Sequence, residues 1–136
     1  MKKLISFDDR IFIAGASGMV GSSICRTFKN AGYGQSEHNG VIFTPSRKEL
    51  DLSDHLNVFN WFKKFNPSVV IIAAGKVGGI NANANYPADF ILENLKIQTN
   101  LIEIAWKFKV KRLLFLGSSC IYPKFAKQPL KEEYLL

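Results

Sequence analysis

The 136 residues carry 47% apolar and 21% charged side chains, which supports one domain with a core and excludes a disordered chain. No apolar run approaches the ~20 residues that cross a bilayer, and "MKKLISFDDR" lacks the apolar segment of a secretory signal, so a cytoplasmic setting is expected. The formal charge of +7 suits an anionic small ligand; the basic residues are scattered, with no recognition helix and no RNP-like strand, so nucleic acid is not an expected partner.

Residues 10–14, "RIFIA", are a β-rich apolar run ending at Gly15 and read as a buried strand. Val20, Ile24 and Phe28 fall four apart, predicting a helix from Met19 to about Ala31. "GYGQSEHNG" is a loop and "VIFT" a second strand. A helix runs through "HLNVFNWFKKF", capped by Asp51 or Ser53, with Leu56, Phe59 and Phe62 inward and Pro67 closing it. "SVVIIAA" is a continuously apolar third strand, as in a parallel sheet covered on both faces. A long helix follows Pro87, with Phe90, Leu95, Leu101, Ile104 and Ala105 inward, and "RLLFLGSS" is the fourth strand. This alternation predicts an α/β fold: a Rossmann-type, doubly wound parallel sheet, truncated to four strands in the order 3-2-1-4, with ligands at the strands' carboxyl ends.

"GASGMVG" places G-x-x-G-x-x-G directly after a strand and at the opening of a helix, the context that a phosphate cradle requires. Gly15 permits the sharp turn, Gly18 removes a Cβ that would block a diphosphate, and Gly21 lets helix and strand lie close; Ala16, Ser17, Met19 and Val20 complete the loop and helix start. The bland alternative is a glycine-rich bend without a ligand. After the second strand, "VIFTPSRKELDLSD" offers no acid at Thr44, Pro45 or Ser46, then Arg47 and Lys48. Cations there suit a 2′-phosphate and favour NADP over NAD, against the alternative that Arg47 only opens a solvated segment. Cys25, His38 and His55 show no ligand or catalytic spacing, and Cys25 is expected to pack on the first helix.

The glycine spacing resembles that of the extended short-chain dehydrogenase/reductase superfamily. With "KVGGI", "YPADF" and "SSCIYPK", the chain resembles the GDP-L-fucose synthase family from about Arg10 to Glu133. The resemblance implies an epimerase-reductase acting on GDP-4-keto-6-deoxy-mannose with NADPH as cofactor. It places Asp51 and Leu52 toward the adenine, Ala73, Ala74 and Gly75 close against the cofactor, and Leu116, Gly117, Ser118 and Ser119 near its nicotinamide half. Ser118 matches the serine that hydrogen-bonds the ketone oxygen. Cys120 matches the cysteine that moves protons at the flanking carbons, which are acidic because their carbanions delocalise onto that oxygen. Taken without the resemblance, a free cysteine is usually a buried small hydrophobe, and serines at a strand's end often satisfy backbone groups. Lys76 is read as a positioning residue rather than a base. Asn81, Asn83 and Asn85 are read as turn formers, and Asn94 and Asn100 as ties between the long helix and the site loops.

Hydride transfer in the superfamily uses a Tyr with a Lys four residues on, and Tyr33, Tyr86, Tyr122 and Tyr134 all lack that partner. The resemblance places this pair, a histidine acid and the sugar-binding domain beyond Leu136. The expectation is therefore a single NAD(P)-binding domain over residues 1–136, incomplete at its C-terminal end, without the substrate domain and inactive alone. Expected partners are a GDP-sugar and either a second copy or a separately encoded C-terminal fragment. Other readings are a non-catalytic NADP-binding module, an inactive fragment with neither binding nor turnover, and a related nucleotide-sugar epimerase or dehydratase. Many bacterial members carry His-Arg where this chain has Ala16 and Ser17, which removes one partner for a 2′-phosphate. The fourth strand is expected to be an exposed edge prone to self-association.

Overall fold

The computed structural model describes residues 4–135. Strands β1 (Arg10–Ala14), β2 (Val41–Phe43), β3 (Val69–Ile72) and β4 (Arg112–Phe115) alternate with helices α1 (Met19–Asn30), α2 (His55–Phe65), and the pair α3 (Ile80–Asn85) and α4 (Pro87–Lys107). All strand pairs are parallel, with Ile11 of β1 beside Ile42 on one side and Val69 on the other. Among the described residues no helix is long and apolar enough to cross a membrane.

The sheet order is β2-β1-β3-β4, which corrects the expected 3-2-1-4. The chain reverses direction across the sheet after β2, so β3 lies on the far side of β1. Burial gives the reason. All four residues of β3 are buried, so it occupies an interior position with neighbours on both sides, whereas β2 is short and partly exposed and suits an edge. The architecture remains doubly wound. Ile11, Ile13, Val69 and Ile71 pack on Ile24, Cys25 and Phe28 of α1. On the opposite face, Phe12, Ala14, Val70 and Ile72 meet Val58, Trp61 and Phe62 of α2 and Ile97, Leu101 and Ile104 of α4.

Two helices depart in detail from their expected phases. Asp54, not Asp51 or Ser53, caps α2 by accepting from the Asn57 amide at 3.0 Å. Asp51 is occupied otherwise: its Oδ1 accepts from the amide and hydroxyl of Ser53 at 2.9 and 2.7 Å. Leu56 and Leu95 are exposed, while Val58 and Ile97 take the inward positions.

At the amino ends of the strands, Asp9 is 4% exposed and anchors three segments. Its carboxylate accepts from the Ser6 amide (2.8 Å), the Ser68 hydroxyl (2.7 Å) and the Lys111 ammonium (2.8 Å), and the Ser68 hydroxyl accepts from the Arg10 amide (2.9 Å). Burial pushes the Asp9 carboxyl up, but the hydrogen bonds from Lys111, Ser68 and Ser6 outweigh it and hold the group below its ordinary value. A carboxyl lowered by folding stabilises above its unfolded pKa, and that contribution is lost as pH falls through the folded value. Asp9→Asn should therefore cost about 2–4 kcal/mol at neutral pH. In urea titrations the gap to wild type should narrow below about pH 4; a gap independent of pH would show that the charge is not what anchors the strands.

At the other margin, β4 is exposed at all four positions and, among the described residues, pairs only with β3. Leu113, Leu114 and Phe115 present apolar surface beside an unpaired strand edge. Such an edge is a template for intermolecular pairing. The 136-residue chain should self-associate with rising concentration, as read by light scattering. Leu114→Lys should suppress this, and a concentration-independent monomer would contradict it.

Candidate functional site

Beyond Ala14 the backbone turns at Gly15 with φ +80°, a left-handed conformation that suits glycine. A Cβ on Gly15 would stand 2.6 Å from the carbonyl oxygen of Ala73, and one on Gly21 would collide with the Gly15 carbonyl. The Gly18 amide donates to the Gly15 carbonyl at 3.0 Å, and α1 begins at the next residue. Gly18 caps α1 without a side-chain acceptor, and the first turn holds no acid. The first-turn amides of Met19 and Val20 have no acceptor within the helix, and both residues are exposed, so their amides are open to an anion. A Cβ on Gly18 would meet only the Gly15 carbonyl, at 3.3 Å.

This loop forms one wall of a cleft of about 590 Å³ at the carboxyl ends of β1 and β3. Gly15, Ser17 and Gly18 after β1, Arg47, Asp51 and Leu52 after β2, and Ala73, Ala74 and Gly75 after β3 all line it. Nine of the expected cofactor-binding residues thus line one cavity, together with Lys76. The others lie elsewhere. Ala16 packs with the α1-side core, Met19 and Val20 are exposed at the helix start, and Gly21 is buried behind the loop. Leu116, Gly117, Ser118, Ser119 and Cys120 follow β4 and do not line this cleft. Ser118 caps a short 3₁₀ turn (Ser119–Ile121) by accepting from the Cys120 amide at 3.2 Å, and Cys120 is exposed rather than packed.

Helix α4 fixes the surrounding loops. The Asn94 side chain accepts from the Lys76 amide at 2.7 Å and donates to the Lys76 carbonyl at 2.9 Å; Asn100 donates to the Leu52 carbonyl at 2.9 Å. Asn83 bonds locally, as expected of a turn former, donating to the Gly78 and Gly79 carbonyls although it sits on α3. Glu93 also lines the cleft, paired with Arg47 and with Lys76, each at 3.0 Å. The hydrogen bond from Lys76 outweighs burial, and with the charges of Lys76 and Arg47 it holds the Glu93 carboxyl below its ordinary range. The Ser53 hydroxyl and amide do the same for Asp51. Glu93 escaped the sequence reading, although it stands four residues before Ile97 and eight before Leu101, in phase with the buried stripe of α4. A charge in that phase was the available signal.

The sequence profile of the NAD dependent epimerase/dehydratase family matches residues 11–136. The chain belongs to this family. GDP-L-fucose synthase 1 of Arabidopsis thaliana is 53% identical over 127 residues, covering 93% of this chain and 38% of that protein. GDP-L-fucose synthase of Escherichia coli is 48% identical over the same 93% of the chain and 38% of its own length. Among solved structures, MlghC, a GDP-mannoheptose C4 reductase from Campylobacter jejuni with NADP bound, superposes with a TM-score of 0.85 at 40% identity, covering 96% of this chain and 40% of that one. The family member described here therefore spans a little over a third of the curated relatives' length.

The glycines of the loop differ in what surrounds them: Gly21 is pressed against the Gly15 backbone, whereas Gly18 has more room. Gly21→Ala should lower stability by about 2 kcal/mol or more, because backbone must move, whereas Gly18→Ala should cost under about 1 kcal/mol. Thermal unfolding of both variants checks this; equal losses would show that the loop packs differently.

Proposed function

We propose that this chain is the cofactor-binding part of an NADP-dependent epimerase-reductase that forms GDP-L-fucose from GDP-4-keto-6-deoxy-mannose. The observation that carries the reading is the cleft: Gly15, Ser17 and Gly18 line it together with Arg47, the uncapped start of α1 follows directly on Gly18, and the backbone is close enough at Gly15 and Ala73 to leave no side chain between. The identity to GDP-L-fucose synthases supports the substrate class.

The residues present suit a dinucleotide phosphate. The amides of the Gly15–Gly21 loop bind the diphosphate, with Gly18 leaving room where a Cβ would intrude. Asp51 and Leu52 flank the adenine, and Arg47 pairs with the 2′-phosphate. Ala73, Ala74 and Gly75 let the backbone approach the cofactor, with Leu116, Gly117 and Ser119 bordering its nicotinamide half. When bound, NADPH supplies hydride for reducing the C4 ketone. Ser118 donates a hydrogen bond to the ketone oxygen; its own oxygen already accepts from the Cys120 amide, which leaves the hydroxyl hydrogen free to point at the substrate. The exposed Cys120 thiol exchanges protons at the carbons beside the ketone. Lys76, bonded through its backbone to Asn94 and through its ammonium to Glu93, positions rather than acts as a base.

A second reading is a module that binds NADP without turnover. Fluorescence titration tests both. The chain should bind NADPH more tightly than NADH, Arg47→Gln should weaken NADPH about tenfold with little change for NADH, and Gly18→Val should weaken both. Keto-sugar reduction by the chain alone should be undetectable. Equal indifference to both coenzymes would overturn the proposal.

A further inference from the structure

Arg47 and Lys76 are the two cationic side chains lining the cleft, and both end on one carboxylate. Arg47 meets Oε1 of Glu93 and Lys76 meets Oε2, each at 3.0 Å, so both carboxylate oxygens are engaged. The other acid of the lining, Asp51, is committed to Ser53 through Oδ1. We infer that Glu93 is an internal competitor for the cleft's cations and sets how strongly the site prefers a ligand bearing an additional phosphate.

The inference rests on the cleft being a dinucleotide site, as proposed above. Glu93 is well placed to compete because it is anchored. It lies within α4, next to Asn94, whose side chain is bonded twice to the Lys76 backbone, and its own side chain is only 23% exposed. Arg47 is the more solvent-exposed partner, with a side chain 77% exposed. A pair so exposed contributes little to stability, so an incoming phosphate can draw Arg47 away at small cost. The carboxylate stays behind, close to the same cations and unscreened by water on its buried side. Its negative charge then opposes the phosphate that has replaced it. A ligand without that phosphate leaves the Arg47–Glu93 pair intact and gains nothing from its removal. Glu93 thus moderates the discrimination that Arg47 creates.

The test is titration of wild type, Glu93→Gln, Glu93→Ala and Glu93→Gln/Arg47→Gln with NADPH and with NADH at low ionic strength, with a melting curve for each. Glu93→Gln should tighten NADPH about three- to tenfold, change NADH less than about twofold, and lose most of its gain when Arg47 is also replaced or salt is raised. Glu93→Ala should show the same gain, which separates the lost charge from any bond made by Gln. Unchanged or weaker NADPH binding in both single variants would overturn the inference, since Glu93 would then be holding the cations in place. So would a weakened NADH with NADPH unaltered, which would make Glu93 an acceptor for a ribose hydroxyl. If wild type binds neither coenzyme, the dinucleotide reading itself fails and takes this inference with it; if wild type binds NADPH and the gain is missing, this inference fails alone.

Discussion

Two stretches of main chain meet here with no side chain between them. Gly15 touches the end of β3 at Ala73, and Gly21 of α1 rests against the Gly15 carbonyl. This contact sets the axis of α1, brings its amino end to the mouth of the sheet, and leaves the cleft open between β1 and β3. A methyl group at either position would push these segments apart. The cavity, the direction of the helix dipole and the exposure of the first-turn amides all depend on that proximity.

Helix α4 is the second organiser. Its apolar stripe seals one face of the sheet, while the three polar residues Glu93, Asn94 and Asn100 reach the loops after β2 and β3. Loops at strand ends are usually the least determined part of an α/β domain. Here the Lys76 backbone is held by a two-point amide clasp and the Leu52 carbonyl by a single bond, so one rigid rod positions residues that lie far apart in sequence.

The four strands and the glycine loop were legible because each rests on local information: apolar runs of strand length, and glycines in the interval between a strand and a helix. Cavity-lining positions such as Asp51 and Ala73 came from family resemblance, and the geometry groups them with the glycines. The strand order was not legible, because the side of β1 taken by β3 depends on the burial of β3 against partners far away in sequence. Leu95 was assigned inward where Ile97 is, since a helix with apolar residues at 91, 92, 95, 97 and 101 has no unique phase until it is packed. Helix α3 was hidden by asparagines, which favour turns as readily as helices. Glu93 was passed over because a glutamate on a helix is normally solvated.

Parallel strands place like ends together, so the two polar centres of this molecule are segregated by the length of the sheet. Asp9, Ser68 and Lys111 bind the roots of β1, β3 and β4, while the cleft opens at the tips. Anchorage and recognition therefore draw on separate sets of atoms. Changes at the tips can retune which ligand is held without loosening the roots, so this region can diversify in chemistry while the framework beneath it stays put.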